Sequence, residues 1–115
     1  MTFDVEIVLR DRNYAVTERV THPGEPSAWM EQDVEAVLKE ILLSIDRVKH
    51  PDTTARHVAL RGFSWIVEPT EGGVVIAIEI PTGAAVAGPF AMAQADLDRL
   101  ITRVLAGARP KSVVH

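Results

Sequence analysis

The side chains best able to do chemistry are few and scattered. The chain carries four histidines, His22, His50, His57 and His115, and no cysteine. Composition alone therefore rules out a disulfide framework, a thiolate metal site and a cysteine nucleophile. No histidine stands four residues from another, the spacing that sets two imidazole ligands on one helical face. His50, Asp52 and His57 bracket one short stretch, but His50 reads more simply as a cation at a helix C-terminus and Asp52 as a turn residue. No metal is expected.

Ser64, in Gly62-Phe63-Ser64-Trp65, lacks the trailing glycine of a nucleophile elbow and falls inside an extended run, not at a strand-to-helix turn. Asp33 with Glu35, and Asp96 with Asp98, are close in sequence, yet a two-residue spacing turns side chains apart on a helix. They read as solvated helix starts, not as an acid and a base converging on a substrate. Pro81 to Pro89 contains glycines but neither the dinucleotide fingerprint nor the closing Lys-Ser/Thr of a phosphate loop. No catalytic residue and no cofactor follow from these patterns, and whether the chain is an enzyme stays open.

Two constellations remain. Arg61 next to the aromatic run Phe63-Ser64-Trp65, with Trp29 and Phe90 ahead of the two helices, would frame an anion or small-ligand pocket, although large aromatics more often fill cores. The second is a surface. Strand alternation puts Val8, Ile66, Val75 and Ala77 on the outward side of the sheet, where a contiguous apolar patch marks a contact surface. A homodimer closing sheet to sheet or edge to edge would cover it; the plainer reading scatters these residues among Glu6, Ser64, Glu68 and Glu79.

The elements that must position these residues follow from periodicity. Phe3, Val5, Ile7 and Leu9 alternate with polar residues as a half-buried strand, and Tyr14, Val16 and Val20 resume the period after Asp11-Arg12-Asn13, which predicts a hairpin. His22 to Pro26 interrupts it, and Ser27 is the expected N-cap of a helix running from Ala28 to about Lys49. Its apolar residues, from Met30 to Val48, recur at three- and four-residue spacing. A second hairpin is expected from His57 to Glu68 and from Val74 to Ile80, turning at Pro69 to Gly73. Val58 and Leu60 share one parity while Phe63, Trp65 and Val67 share the other, which predicts a β-bulge at Arg61-Gly62. The strand from Val74 to Ile80, apolar on nearly both faces, belongs inside the sheet. Pro81 to Pro89 reads as a loop or short edge strand; as a glycine-rich segment near Arg61, Trp65 and Phe90 it is also the natural seat of a ligand site. A last helix is expected from Ala93 to Ala106, stopped at Gly107.

The reading that results is α+β: ββαββα, a four-stranded antiparallel sheet with two helices packed on one face. The large apolar positions of Asp33 to Leu42 and Asp96 to Leu105 coincide, so the two halves also read as one ββα unit used twice; any two amphipathic helices share that spacing. The 115 residues suit one domain, expected over 1–107, with 108–115 as a flexible C-terminal tail. Hydrophobic residues at 47% and charged residues at 24% are those of a globular chain. The N-terminal residues lack a signal-peptide pattern and no apolar run approaches the ~20 residues of a membrane helix, so a soluble, cytoplasmic protein is expected. A net charge of -4 argues against a nucleic-acid partner, the basic spots Arg10 with Arg12 and Arg109-Pro110-Lys111 being short. The leading function is a non-enzymatic interaction or regulatory domain that homodimerises or binds a protein through its open sheet face. The rival is a small-molecule-binding protein or enzyme with a site near the 81–89 loop.

Overall fold

The alternation beginning at Phe3 becomes strand β1 (Thr2–Leu9), in which Phe3, Val5, Ile7 and Leu9 are buried and every intervening residue is exposed. We describe the protein from a computed structural model covering residues 1–53 and 56–108. β1 pairs antiparallel with β2 (Ala15–Thr21), Val5 lying opposite Glu18. A 3-10 turn at Pro26–Ala28 leads into helix α1 (Glu31–Lys49). Strands β3 (Ser64–Thr70), β4 (Gly73–Ile80) and β5 (Gly83–Phe90) form a meander, and helix α2 (Gln94–Ala108) follows.

Among the described residues the sheet has five strands, not the expected four, in the order β2-β1-β5-β4-β3, with every neighbouring pair antiparallel. The correction lies at residues 81–89: after a turn at Pro81-Thr82 the chain forms the central strand β5 between β1 and β4, and neither a loop nor an edge. Ile80 pairs with Gly83 across the two-residue connection Pro81-Thr82, so the proline sits in a tight hairpin turn and the chain re-enters the sheet at once. With three strands before α2 and β1 paired to β5, the halves are ββα and βββα, and the twofold ββα unit does not describe them.

Residues 57–62 also differ from expectation. β3 begins only at Ser64, and Val58 and Leu60 pack half-buried against the core without joining a ladder. No bulge forms at Arg61-Gly62. Instead Gly62 has φ +78°, a left-handed turn that glycine adopts without steric penalty, and the strand starts after it. The register irregularity lies between β4 and β5, at Val74 and Ile76.

Both helices cover one face. α1 packs over β1, β2 and β5, α2 over β3, and the two pack on each other. Ala85 and Ala87 are fully buried beneath them, and their small size lets a helix approach β5 closely. Gln94 ties the start of α2 to the sheet by donating from Nε2 to the Val67 carbonyl at 2.8 Å. Arg47 ties α1 to β2, with Nε donating to Glu18 Oε1 at 3.0 Å and Nη2 to the buried Ser44 Oγ at 2.9 Å. Ala108 closes α2; residues 109–115, including Lys111, His115 and most of the expected tail, lie outside the described residues.

The start of α1 is built differently from the expected Ser27 cap. The N-cap is Met30, whose backbone N–H donates to Asp33 Oδ2 at 2.9 Å, while His22 Nε2 donates to Asp33 Oδ1 at 3.0 Å. The Met30 amide and the His22 ring hold the Asp33 carboxyl below its ordinary range. A carboxyl lowered by folding stabilises the native state above its unfolded pKa, about 3.9, and loses that contribution as pH falls through the lower folded value. Asp33→Asn should therefore destabilise the protein by about 1 kcal/mol near neutral pH. The gap to wild type should close on acidification below about pH 4. Urea titrations of both proteins across pH check this, and a gap that widens on acidification contradicts it.

Candidate functional site

The face opposite the helices carries no covering element among the described residues. Pairing fixes its rows. Thr17, Glu6, Val86, Ala77 and Ile66 stand side by side across β2, β1, β5, β4 and β3, and the next row reads Ala15, Val8, Ala84, Glu79, Ser64. A third places Arg19, Asp4 and Gly88 beside Val75 and Glu68. Ile66, Ala77 and Val86 thus form an unbroken apolar row on three adjacent strands, with Ala84 and Val8 beside it. Ile66 is 54% exposed, Val8 43% and Val86 41%. Large aliphatic side chains that wet are costly when contiguous, at roughly 25 cal/mol per Å² of apolar surface left in water.

Carboxylates rim the patch. Asp4 is engaged with Arg19 at 3.3 Å, whereas Glu6, Glu68 and Glu79 take part in none of the ion pairs found among the described residues. Four acids (Asp4, Glu6, Glu68, Glu79) against one base (Arg19) leave the outward side of the strands at -3. Two shallow depressions share Val86 as a wall. One, of about 360 Å³, is lined mainly by Ile66, Ala77, Ala84 and Val86 with Glu79; the other, of about 310 Å³, gathers Asp4, Glu6 and Glu71 around Val75 and Gly88.

The four outward residues expected from sequence, Val8, Ile66, Val75 and Ala77, all stand on this face, Val75 and Ala77 half-buried. Val86 and Ala84 are absent from that set because residues 81–89 read as a loop or a short edge strand and not as a central one; the signal available was the Ile80-Pro81-Thr82-Gly83 turn followed by alternating Ala85, Val86, Ala87. The sheet edges are less suited to pairing. β3 carries Pro69, and β2 presents Thr17, Glu18 and Arg19, features that blunt an edge.

The structure does not bring Arg61, Trp65 and Phe90 together. Phe90 is fully buried, its ring 4.9 Å from Phe3 and 5.2 Å from Trp29. Trp65, half-buried, pairs with Ile78, while Phe90 pairs with Val74 near the far end of β4. Arg61 is exposed on the 58–61 segment, where it borders a cleft of about 670 Å³ between α1 and α2. Two acids and two other bases in that cleft already neutralise each other, Glu35 with Lys39 at 2.9 Å and Glu31 with Arg103 at 4.0 Å. The segment expected as a loop or short edge strand lies instead in the ladder between β1 and β4, as Gly83–Phe90. Trp29 Nε1 is buried and has no hydrogen-bond partner among the described residues, enclosed between the His22 and Phe90 rings.

Among the described residues no three His, Asp or Glu side chains converge as a metal-holding group. His50 caps α1 through its backbone N–H, which donates to the Asp46 carbonyl at 2.8 Å, and its own carbonyl accepts from Arg56. No helix among them is long and apolar enough to cross a membrane. Compared with known protein families, with curated proteins and with solved structures, the chain matches none.

Proposed function

We propose that this chain is a non-enzymatic interaction domain that docks another polypeptide on its open sheet face. One observation carries the reading: the unbroken apolar row Ile66, Ala77, Val86 crosses three adjacent strands with Val8 beside it, and both large aliphatics of the row are more than 40% exposed. Isolated surface aliphatics are ordinary, but a contiguous set on a rigid sheet is the signature of a contact surface. The charged rim around an apolar centre is the anatomy of a protein interface. A sheet anchored by two helices also offers a surface that need not reorganise on binding.

Site-specific photo-cross-linking in the cells that make the protein tests this. Benzoylphenylalanine in place of Val86 should give discrete adducts, and the same group in place of Arg99, exposed on α2, should give none. Equal labelling from both positions, or none from position 86, sinks the reading. An adduct of twice the chain mass would identify a second copy as the occupant.

A further inference from the structure

We infer that the occupant of the open face is a basic amphipathic helix of another protein, lying along β5 with its apolar side on Ala84 and Val86 and its flank over Ala77 and Ile66, and with its Lys or Arg side chains on Glu6, Glu68 and Glu79. The inference rests on the docking reading and adds the chemistry of the partner.

Charge selects between occupants. A second copy stacked face to face would bring its own -3 against the first, and the carboxylates of Glu6, Glu68 and Glu79 from each chain would have to desolvate around one apolar layer. A basic segment meets the same carboxylates with opposite charge, so each apolar contact comes with a neutralised rim. The acids are placed for it: Glu6 is next to Val86 on β1, Glu79 next to Ala84 on β4, and Glu68 next to Val75 on β3.

The two depressions select the shape. Ala84 stands in the apolar one and Gly88 in the acidic one, four residues apart on a strand that rises about 3.3 Å per residue, hence about 13 Å. Two turns of an α-helix cover about 11 Å. A helix lying along β5 therefore reaches from one depression to the other with a Leu-sized anchor at one position and a Lys or Arg two turns away, both on the same side. Gly88, with no side chain, and Ala84, with a methyl, leave the middle of the sheet low enough to receive it, with Val86 as the ridge between.

The test uses a Leu/Lys amphipathic peptide about 18 residues long and its matched counterpart with Glu replacing every Lys, each titrated into isotopically labelled protein and followed by amide shifts. Three proteins are compared: wild type, Glu6→Gln/Glu68→Gln/Glu79→Gln, and Ile66→Ser/Val86→Ser, with circular dichroism establishing that each is folded. The Lys peptide should shift amides of β4 and β5 around Ala77 and Val86 and bind both variants about tenfold more weakly or worse. The Glu peptide should leave those amides in place. Shifts confined to α1 and α2, equal affinity for all three proteins, or equal binding of both peptides would overturn the inference. Light scattering separates the two levels of failure. A wild-type dimer that Ile66→Ser/Val86→Ser converts to monomer keeps the docking face and removes the basic partner; a monomer that no peptide touches removes both.

Discussion

Phe90→Ala should destabilise the protein by about 3–5 kcal/mol, the usual loss when a fully buried phenylalanine is truncated. Its ring contacts both Phe3 and Trp29, so the deletion opens a hole where β1, β5 and the approach to α1 meet, in a region held on several sides and unable to collapse. For a domain of this size that is a fall of roughly 15 to 25 °C in Tm and a large share of a typical 5–15 kcal/mol total stability. Chemical denaturation read by far-UV circular dichroism gives the number. Ile66→Ala, at an exposed position of the same sheet, should change stability by less than about 1 kcal/mol. Equal losses at the two sites would mean that Phe90 is not the centre of this core.

Gly73→Ala should be nearly as damaging through the backbone alone. Gly73 has φ +138° and lies where β4 begins, opposite the end of β5. A Cβ built there would overlap the Phe90 carbonyl oxygen and come within 3.1 Å of the Ala91 Cα. Neither is the end of a flexible side chain, so the strands must part or the turn must rebuild. The expected cost is about 3 kcal/mol or more, combining a φ that L-residues avoid with a contact that cannot yield. Its neighbour supplies the comparison. Gly72 has φ +90°, but an added Cβ would meet nothing nearer than Pro89 Cγ at 3.7 Å, so Gly72→Ala should cost only the conformational term, about 1–2 kcal/mol. Thermal melts of both variants decide it, and Gly73→Ala no worse than Gly72→Ala would show that the β4–β5 junction is not tight.

Legibility in the sequence tracked side-chain size. The buried face of β1, the apolar stripes of α1 and α2, and the interior position of β4 could be read because Ile, Leu, Val and Phe recur there with a clear period. β5 could not, because Ala84, Ala85 and Ala87 have little strand preference and look alike on both faces, and because Pro81, Gly83, Gly88 and Pro89 carry the marks of a loop. On the inner side their smallness is a tertiary requirement, because helices pack on Ala85 and Ala87. Val58 and Leu60 misled in the opposite direction, alternating like a strand while packing half-buried from an irregular segment. For the candidate face, alternation alone placed Val8, Ile66, Val75 and Ala77, whereas the central Val86 waited on the strand that carries it. Phe90 shows the limit of residue type: an aromatic ahead of a helix serves a pocket or a core equally well until its strand has a place.

The seam between β1 and β5 has a consequence for how the chain is made. Asp4 pairs with Gly88, so 84 residues separate two positions that lie side by side. Until the ribosome has released the β5 segment, β1 has a partner on one flank only, and its other row of peptide groups is exposed to any extended chain nearby. The two halves of the sheet are joined only through the β1–β5 pairing, by a strand that is poor in large apolar side chains. Closing so distant a pairing is entropically slow, and during that delay the nascent protein is most exposed to aggregation.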